Sequence, residues 1–165
     1  MTTPSPAPRA TPSDFRKLLG CFATGVTVAT AKDADGRLVG MTASAVSAVS
    51  LDPPLLLICV GHSATFHRAL RGGTGFALNI LATDQQALSE HFASGFDDPF
   101  EDTAYHIGDH GFPLLDGVVA HIICGQWSAY EAGDHTVFFG EVIAGQAYER
   151  PPLIHYRGRY TTTQD

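Results

Sequence analysis

Apolar residues fall mostly into short runs that are rich in β-branched side chains and separated by turn residues. Runs of this kind are typical of strands. Asp35-Gly36 is a strong hairpin turn that leads into Leu38-Val39, and residues 132–135 form a turn between the two longest runs. The pattern predicts six or seven strands, the clearest of which cover residues 26–30, 55–60, 76–81, 118–130, 136–147 and 153–160.

Helical spacing is confined to short segments between these strands. Ser13 is expected to cap a first helix, whose apolar residues lie at positions 15, 18, 19 and 22. Ser63 is expected to begin a second helix that ends near Leu70, and Thr83 with Gln86 suggests a capping box for a third. Residues 94–117 contain several Gly, Asp and Pro and are predicted to be a loop. Without a repeating βαβ rhythm, the fold class is mainly β with short helices, an antiparallel barrel.

The chain of 165 residues is long enough for one domain with its own core. Residues 1–12 include four prolines among small polar residues, so we expect a disordered arm there. The domain is expected to cover residues 13–165. The N-terminus has no apolar segment typical of a secretory signal, and no apolar stretch approaches a membrane span. These patterns predict a cytoplasmic protein without membrane contact.

The charge and cysteine content exclude some classes of ligand. The formal net charge of -7 argues against binding to nucleic acid, which requires a basic face. An acidic protein must hold a phosphate-bearing ligand through local groups, such as backbone N–H, hydroxyls and a few cations. The three cysteines are far apart and form no CxxC pair, so they are expected to be reduced thiols.

Several common signatures are missing. Residues 72–75 lack the third glycine of a dinucleotide loop and precede a strand, and there is no Walker A or GxSxG sequence. His106 and His110 lie in a predicted loop without an HExxH pattern, so no metal site is expected. Any nucleotide chemistry must therefore use a fold other than the Rossmann fold.

Four segments, taken together and in this order, resemble the flavin reductase domain of two-component monooxygenases. The resemblance covers nearly all of the chain after residue 14. The segments are FATGVTVAT at 22–30, GMTASAVS at 40–47 with its continuation VSLDPPL at 49–55, GDHT at 133–136, and PLIHYRGRY at 152–160.

This resemblance implies an FMN-binding split β-barrel of antiparallel Greek-key type that works as a homodimer. It implies reduction of FMN or FAD by NADH or NADPH, with reduced flavin passing to a flavin-dependent monooxygenase. No catalytic acid or base is expected, because hydride transfer requires mainly that the two cofactors be positioned.

The flavin ring is expected to lie against a stretch of small residues. This stretch offers backbone donors and short hydroxyls with little side-chain bulk, which suits a flat ring with a polar edge. From the residues alone, a strand crossing explains the small side chains equally well, and the resemblance favours flavin. The residues concerned are Thr42, Ala43, Ser44, Ala45 and Ser47.

The flavin phosphate is expected at the start of the second helix. Ser63 and Thr65 lie where free N–H groups and the helix dipole attract an anion, and Arg68 lies one turn further in. Ser63 could instead serve only as a helix cap. In the family, a Ser/Thr pair at this place contacts the flavin phosphate or ribityl chain.

The resemblance places His135 beside the nicotinamide nucleotide, in a positioning role. Tyr156 and Arg157 match the family's C-terminal pattern and are also expected to position NAD(P)H, although strand aromatics could equally form barrel or dimer core. Arg157 and Arg159 are expected to alternate to one face of the last strand, where they could meet nucleotide phosphates or equally face solvent. The phenylalanines at 92, 96 and 100 resemble a segment of the family that lies near the pocket.

Two other functions are compatible with parts of the pattern. A protein that holds FMN tightly could act as an electron carrier or flavin sensor, but it would have no evident use for the GDH segment. An oxidase of the pyridoxamine-phosphate type would need a basic cluster for its second phosphorylated substrate, and none is evident.

Overall fold

The computed structural model describes residues 10–96 and 98–163. Within these residues the chain forms three short helices and twelve strands. In chain order they are α1 (Pro12–Leu19), β1 (Thr24–Gly25), β2 (Thr27–Lys32), β3 (Leu38–Ala43), β4 (Val46–Leu51), β5 (Pro54–Gly61), α2 (Thr65–Gly72), β6 (Gly75–Ile80), α3 (Gln86–Ala93), β7 (Tyr105–Ile107), β8 (Pro113–Leu115), β9 (Ala120–Ala132), β10 (His135–Ala147), β11 (Ile154–Tyr156) and β12 (Arg159–Thr161).

Seven strands form one antiparallel sheet in the order β3-β2-β6-β9-β10-β5-β4. Its centre is the long β9–β10 hairpin, which the two long apolar runs predicted. The edge strands, β3 and β4, are consecutive in the chain and are joined only by Ser44 and Ala45. The sheet is therefore a barrel that is split between β3 and β4, and the predicted fold class is confirmed.

The buried apolar residues form two main clusters. In β5 the alternate residues Leu56, Ile58 and Val60 are buried, and they pack with Phe66 of α2 and Phe138 of β10. The second cluster includes Val28 of β2, Phe92 of α3, Leu115 of β8 and Leu153 before β11, together with Leu81 after β6 and Phe100 between α3 and β7. Thus α2 covers one side of the barrel and α3 another.

Residues 94–117 are not a simple loop, because they contain the hairpin β7–β8. The fully buried Asn79 of β6 holds this hairpin to the sheet. Its amide oxygen accepts from Leu115 N at 2.8 Å, and its nitrogen donates to Val28 O at 2.9 Å. The prediction of a loop was wrong because the strands are only three residues long and these contacts are distant in sequence.

The three helix starts also differ from the prediction. Thr11, not Ser13, caps α1, and Thr11 and Asp14 form a reciprocal capping box. Ala64, not Ser63, is the N-cap of α2, and Gln85, not Thr83, is that of α3. The observed starts differ from the predicted ones by one or two residues, because the Thr11–Asp14 box fixes α1 and neither Ala64 nor Gln85 makes a side-chain cap hydrogen bond. Most of the expected disordered arm, residues 1–9, lies outside the described residues.

The C-terminal segment is a hairpin and not one strand. β11 and β12 are paired, and the chain reverses at Arg157-Gly158, where Arg157 has a φ of 50°. Arg157 therefore lies in a turn, and the expectation that Arg157 and Arg159 share a strand face was wrong. None of the helices in the described residues has the length and hydropathy of a membrane span.

Candidate functional site

A cleft of about 780 Å³ opens between α2 and α3, with β3 along its floor. Thr42 lines it from β3, Thr65 and Arg68 line it from α2, and Phe92 and Phe96 line it from α3 and the residues just after it. β3 is an edge strand of the described sheet, so its outer backbone groups have no strand partner. The cleft therefore offers backbone, hydroxyl and guanidinium donors close together.

Gly40 allows α3 to lie directly on β3. A Cβ atom at Gly40 would lie 2.5 Å from Cε1 of Phe92, which is far inside van der Waals contact. Thr42 Oγ1 donates to Ser89 O at 2.6 Å and fixes the same helix further along the strand. The hydroxyl proton of Thr42 is thus used within the protein, so Thr42 can contact a ligand only as an acceptor or through its backbone.

The first turn of α2 is open to an anion. Its N-cap, Ala64, has no side chain that could bond the free amides, and no acidic residue lies in that turn. Thr65 and Arg68 are exposed toward the cleft, whereas Phe66 and His67 between them are buried. Ser63 is exposed but is not among the residues lining the cleft. The structure thus brings Thr65 and Arg68 together, with Ser63 next to them in the chain.

The link between the two edge strands presents small side chains. Ser44, Ala45 and Ser47 are exposed, while Ala43 is buried. The link is fixed through its backbone, because Ala45 O accepts from Cys59 N at 3.0 Å and Ala43 O accepts from Thr27 Oγ1 at 2.8 Å. This arrangement gives a firm surface with little side-chain bulk, which suits a flat ring.

His135 begins β10 and lies opposite Gly61 of β5. Its Nδ1 lies 2.7 Å from Asp134 Oδ1, and this hydrogen bond lowers the pKa of the Asp134 carboxyl below its usual value. Asp134 is therefore ionised at neutral pH, and His135 donates from Nδ1 and leaves Nε2 free. The tight turn Gly61–Ala64, closed by Ala64 N donating to Gly61 O at 3.1 Å, separates His135 from Thr65.

A hydrogen-bonded network joins α2 to the tip of the β9–β10 hairpin. His67 Nε2 lies 2.8 Å from Thr136 Oγ1, and Thr136 Oγ1 donates to Glu131 Oε2 at 3.2 Å. Glu131 also pairs with Arg71 and with His62 Nε2. Because the single hydroxyl proton of Thr136 goes to Glu131, His67 is the donor in its own bond.

The environment of His67 keeps its imidazole neutral. Burial lowers the pKa of His67, and the positive charges of Arg71 and His62 add to this effect. No sequence pattern pointed to this network, because its members are brought together from positions 62 to 136. It fixes the helix that carries Thr65 relative to the strand that carries His135.

Tyr156 and Arg157 lie elsewhere, in a recess of about 520 Å³ at the β11–β12 hairpin. The Arg157 guanidinium stacks on the Tyr156 ring at 5.3 Å from its centroid. Neither residue lines the cleft of Thr65 and Arg68. Of the predicted nicotinamide residues, His135 therefore lies beside the Gly61–Ala64 turn, and Tyr156 and Arg157 lie on a separate surface. Among the residues that the structure describes, no cluster of three or more His, Cys, Asp or Glu could hold a metal ion.

Comparison with known proteins connects these features to a family. Residues 19–164 match the flavin reductase like domain. The chain is 39% identical over 146 residues to the FMN reductase (NADH) SmoA of Agrobacterium fabrum, covering 88% of this chain and 83% of that protein. It is 39% identical over 148 residues to the reductase component of a 4-nitrophenol monooxygenase of Rhodococcus opacus, covering 90% and 79%.

Solved structures agree with this match. The NADH:FAD oxidoreductase of Streptomyces globisporus, solved with NAD and FAD fragments, superposes with a TM-score of 0.88 at 38% identity, covering 96% of this chain and 98% of that one. The chain spans about half the length of another relative, a probable flavin reductase of Rhizobium meliloti, with 38% identity, 92% of this chain and 49% of that protein covered. The chain belongs to the flavin reductase-like domain family.

Proposed function

We propose that this protein reduces FMN or FAD with NADH or NADPH and releases the reduced flavin to a partner enzyme. The observation that carries the proposal is the placement of Thr65 with Arg68 and of His135 on the two sides of one turn, Gly61–Ala64. An anion site for a flavin phosphate and a candidate nicotinamide residue are thus held at a fixed separation. The family match supports both assignments.

The flavin phosphate binds at the start of α2. The uncapped amides of the first turn, the Thr65 hydroxyl and the Arg68 guanidinium are local donors, which an acidic protein needs for a phosphate. Ser63 contributes its hydroxyl from the preceding turn. The isoalloxazine ring lies on the small residues of the β3–β4 link, with Ala43, Ser44, Ala45 and Ser47 below it and Thr42 at its edge.

Hydride transfer depends mainly on how the protein positions the two cofactors. Bound flavin accepts a hydride from the nicotinamide, and this step needs close stacking of the two rings more than proton transfer by a side chain. His135 is oriented by its bond to Asp134, so its free Nε2 is available to the nicotinamide nucleotide. The network of His67, Thr136 and Glu131 keeps the two halves of this site in register.

A homodimer completes the site. Helix α1 has no buried residue. Its apolar side chains and that of Phe22 just after it are 50% to 70% exposed. Leu51 at the end of β4 is 95% exposed. A second copy of the chain would bury these residues and could bring its Tyr156 and Arg157 to the nicotinamide. The Tyr156 recess and the cleft then belong to one composite site.

Release of the flavin distinguishes this function from that of an electron carrier. The reductase component of the Rhodococcus opacus monooxygenase supports a monooxygenase as the partner here. A carrier with tightly held FMN would not need His135 at the mouth of the site. A cytoplasmic location stays a prediction from the sequence.

The variant His135→Ala tests the nicotinamide assignment. We expect the affinity for oxidised flavin to stay nearly constant while kcat/KM for NAD(P)H falls roughly 5- to 150-fold, as for one lost positioning hydrogen bond. His135→Gln, which keeps a polar side chain, should retain part of the activity. Normal turnover by His135→Ala, or an equal loss of flavin and nucleotide affinity, would contradict the assignment.

A further inference from the structure

We infer that Ser89 is a positioning residue that joins the flavin cleft to the C-terminal hairpin, so that binding of flavin and binding of the nicotinamide nucleotide are coupled through it. This inference rests on the proposed function, in particular on Tyr156 and Arg157 as nucleotide contacts. Ser89 lies in the middle of α3 and is fully buried. It lines neither the cleft nor the Tyr156 recess.

The backbone of Ser89 is bonded to the floor of the cleft. Thr42 of β3 lines the cleft, and its Oγ1 donates to Ser89 O at 2.6 Å. Further along α3, Phe92 lies directly over Gly40 of the same strand. These two contacts set where α3 lies on β3, and α3 forms one wall of the cleft. The shape of the cleft therefore depends on how this part of α3 is held.

The side chain of the same residue is bonded to the C-terminal hairpin. Ser89 Oγ lies 2.9 Å from the hydroxyl oxygen of Tyr160 in β12. Tyr160 lines the recess together with Tyr156 and Arg157. It also packs against the core cluster that contains Phe92. Ser89 is thus bonded to one lining residue of each surface, Thr42 in the cleft and Tyr160 in the recess.

The other contacts of the hairpin lead away from the cleft. His155 pairs with Thr24 of β1, and Arg157 N donates to Gly20 O at 2.8 Å, just after α1. In the part of the chain that the structure describes, the bond between Ser89 and Tyr160 is the one side-chain hydrogen bond between the hairpin and α3. A shift of the hairpin therefore reaches α3 through this pair.

The fold does not depend on this pair of hydroxyls. Helix α3 is also held by Phe92, which packs edge-to-face on Phe100 at 5.3 Å between ring centroids. Alanine at position 89 and phenylalanine at position 160 would fill nearly the same space without polar atoms, and replacing both partners of a hydrogen bond in this way is close to neutral for stability. The double variant is therefore expected to fold, and its effect on ligands can be measured.

The link favours simultaneous binding of the two ligands. A nucleotide that contacts the hairpin restricts Tyr160 and, through Ser89, the wall of the cleft, so flavin binding then costs less ordering of the protein. The effect is reciprocal, and flavin strengthens nucleotide binding by the same factor. One neutral hydrogen bond sets the scale of this factor at roughly 2- to 10-fold. In the proposed homodimer the recess serves the cleft of the other copy, so the coupling passes between the two composite sites.

The test measures how NAD+ changes the affinity for FMN, by titration calorimetry on the purified full-length protein. Both ligands are oxidised, so no hydride is transferred. The dissociation constant of FMN without NAD+ is divided by that with saturating NAD+, for the wild type, Ser89→Ala, Tyr160→Phe and the double variant. We expect this ratio to be roughly 2- to 10-fold smaller in all three variants than in the wild type. The three variants should agree, because each breaks the same bond.

Tyr105→Phe is the matched control. Tyr105 packs against the same core cluster as Tyr160 and lines neither the cleft nor the recess, so its variant should keep the wild-type ratio. A merely structural role of Ser89 would weaken FMN binding equally with and without NAD+. The ratio would then be the same in the wild type and the variants, and this result would overturn the inference, as would a wild type in which NAD+ does not change the affinity for FMN.

Reduction of FMN by NADH in the wild type tests the proposed function separately. A wild type that reduces no flavin contradicts that function. A wild type that reduces flavin, with a binding ratio that Ser89→Ala and Tyr160→Phe do not change, contradicts only the coupling through Ser89.

Discussion

Gly40→Ala is expected to destabilise the protein by pushing α3 away from the floor of the cleft. The added methyl group would lie 2.5 Å from Cε1 and 2.7 Å from Cδ1 of Phe92. Phe92 is itself buried and packs edge-to-face on Phe100 at 5.3 Å between centroids, so the ring has little freedom to turn away. Helix α3 or β3 must therefore move by about 1 Å to restore ordinary contact.

Overpacking of this kind costs about 1–3 kcal/mol of the free energy of unfolding. The same overlap predicts that the effects of substitutions at positions 40 and 92 on stability are coupled. In a Phe92→Ala background both ring atoms that clash, Cε1 and Cδ1, are gone, so adding Gly40→Ala should cost little more. The coupling free energy between the two positions should then approach the whole cost of the single Gly40→Ala change.

Urea denaturation followed by far-UV circular dichroism measures these changes, at one fixed protein concentration because an oligomer's stability depends on it. Gly72→Ala is the matched control, since a Cβ atom there meets nothing within 4 Å. It should be neutral or slightly stabilising at the end of a helix. The reasoning fails if Gly40→Ala is as stable as this control, or if it costs the same with Ala at position 92.

Three further predictions follow from the site and the proposed dimer. Ser63→Ala combined with Thr65→Ala should weaken FMN binding roughly 10-fold or more, and riboflavin binding much less, with Thr65 as the larger contributor; equal losses for both ligands would move the phosphate site. The pKa of His67 is lowered in the folded protein. The free energy of unfolding therefore does not depend on protonation of His67 well above about pH 6.5, the pKa of an unfolded histidine, and it falls as the pH drops below that value, because the unfolded chain takes up the proton first. His67→Gln should therefore flatten the fall in stability as the pH drops below about 6.5, and an unchanged slope by denaturation would contradict this. Leu18→Asp, which places a charge on the exposed apolar face of α1, should shift the protein to monomers in light scattering, and a wild-type protein that is already monomeric would refute the dimer.

Local sequence patterns predicted the large elements well. The β9–β10 hairpin was recognised because two long β-branched runs flank a turn at residues 132–135, and β5 because residues 55–60 form a short apolar run typical of a strand. In these segments the strand period and the turn chemistry agree with the tertiary structure.

Features that depend on distant contacts were missed. The short strands β7 and β8 form because Asn79 holds Leu115, and no local pattern contains that bond. The same holds for the bond between His67 and Thr136, which are 69 positions apart. The helix caps were misplaced by one to two residues. Thr11 forms a capping box with Asp14 in place of a cap at Ser13, and the N-caps Ala64 and Gln85 make no side-chain cap hydrogen bond that a sequence pattern could reveal.

The candidate site was predicted only in part, because some of its residues are close in sequence and others are not. Thr65 and Arg68 lie on one helix, so their spacing alone brings them together, as the structure shows. Arg37 was not assigned to a site, since it reaches the cleft from a turn, and Phe96 was placed near the pocket only by the resemblance. Tyr156 and Arg157 were grouped with His135 by resemblance, and a single chain does not place them in the same recess.

Reduction of free flavin under catalytic conditions tests the central proposal most directly. A small amount of the purified protein is mixed without oxygen with an excess of NADH or NADPH and of free FMN or FAD, and the absorbance of oxidised flavin is followed. The account predicts that each protein molecule reduces many flavin molecules, because the cleft and the β3–β4 link are open to solvent. Reduction of no more than one flavin per protein, with any of the four combinations, would contradict it.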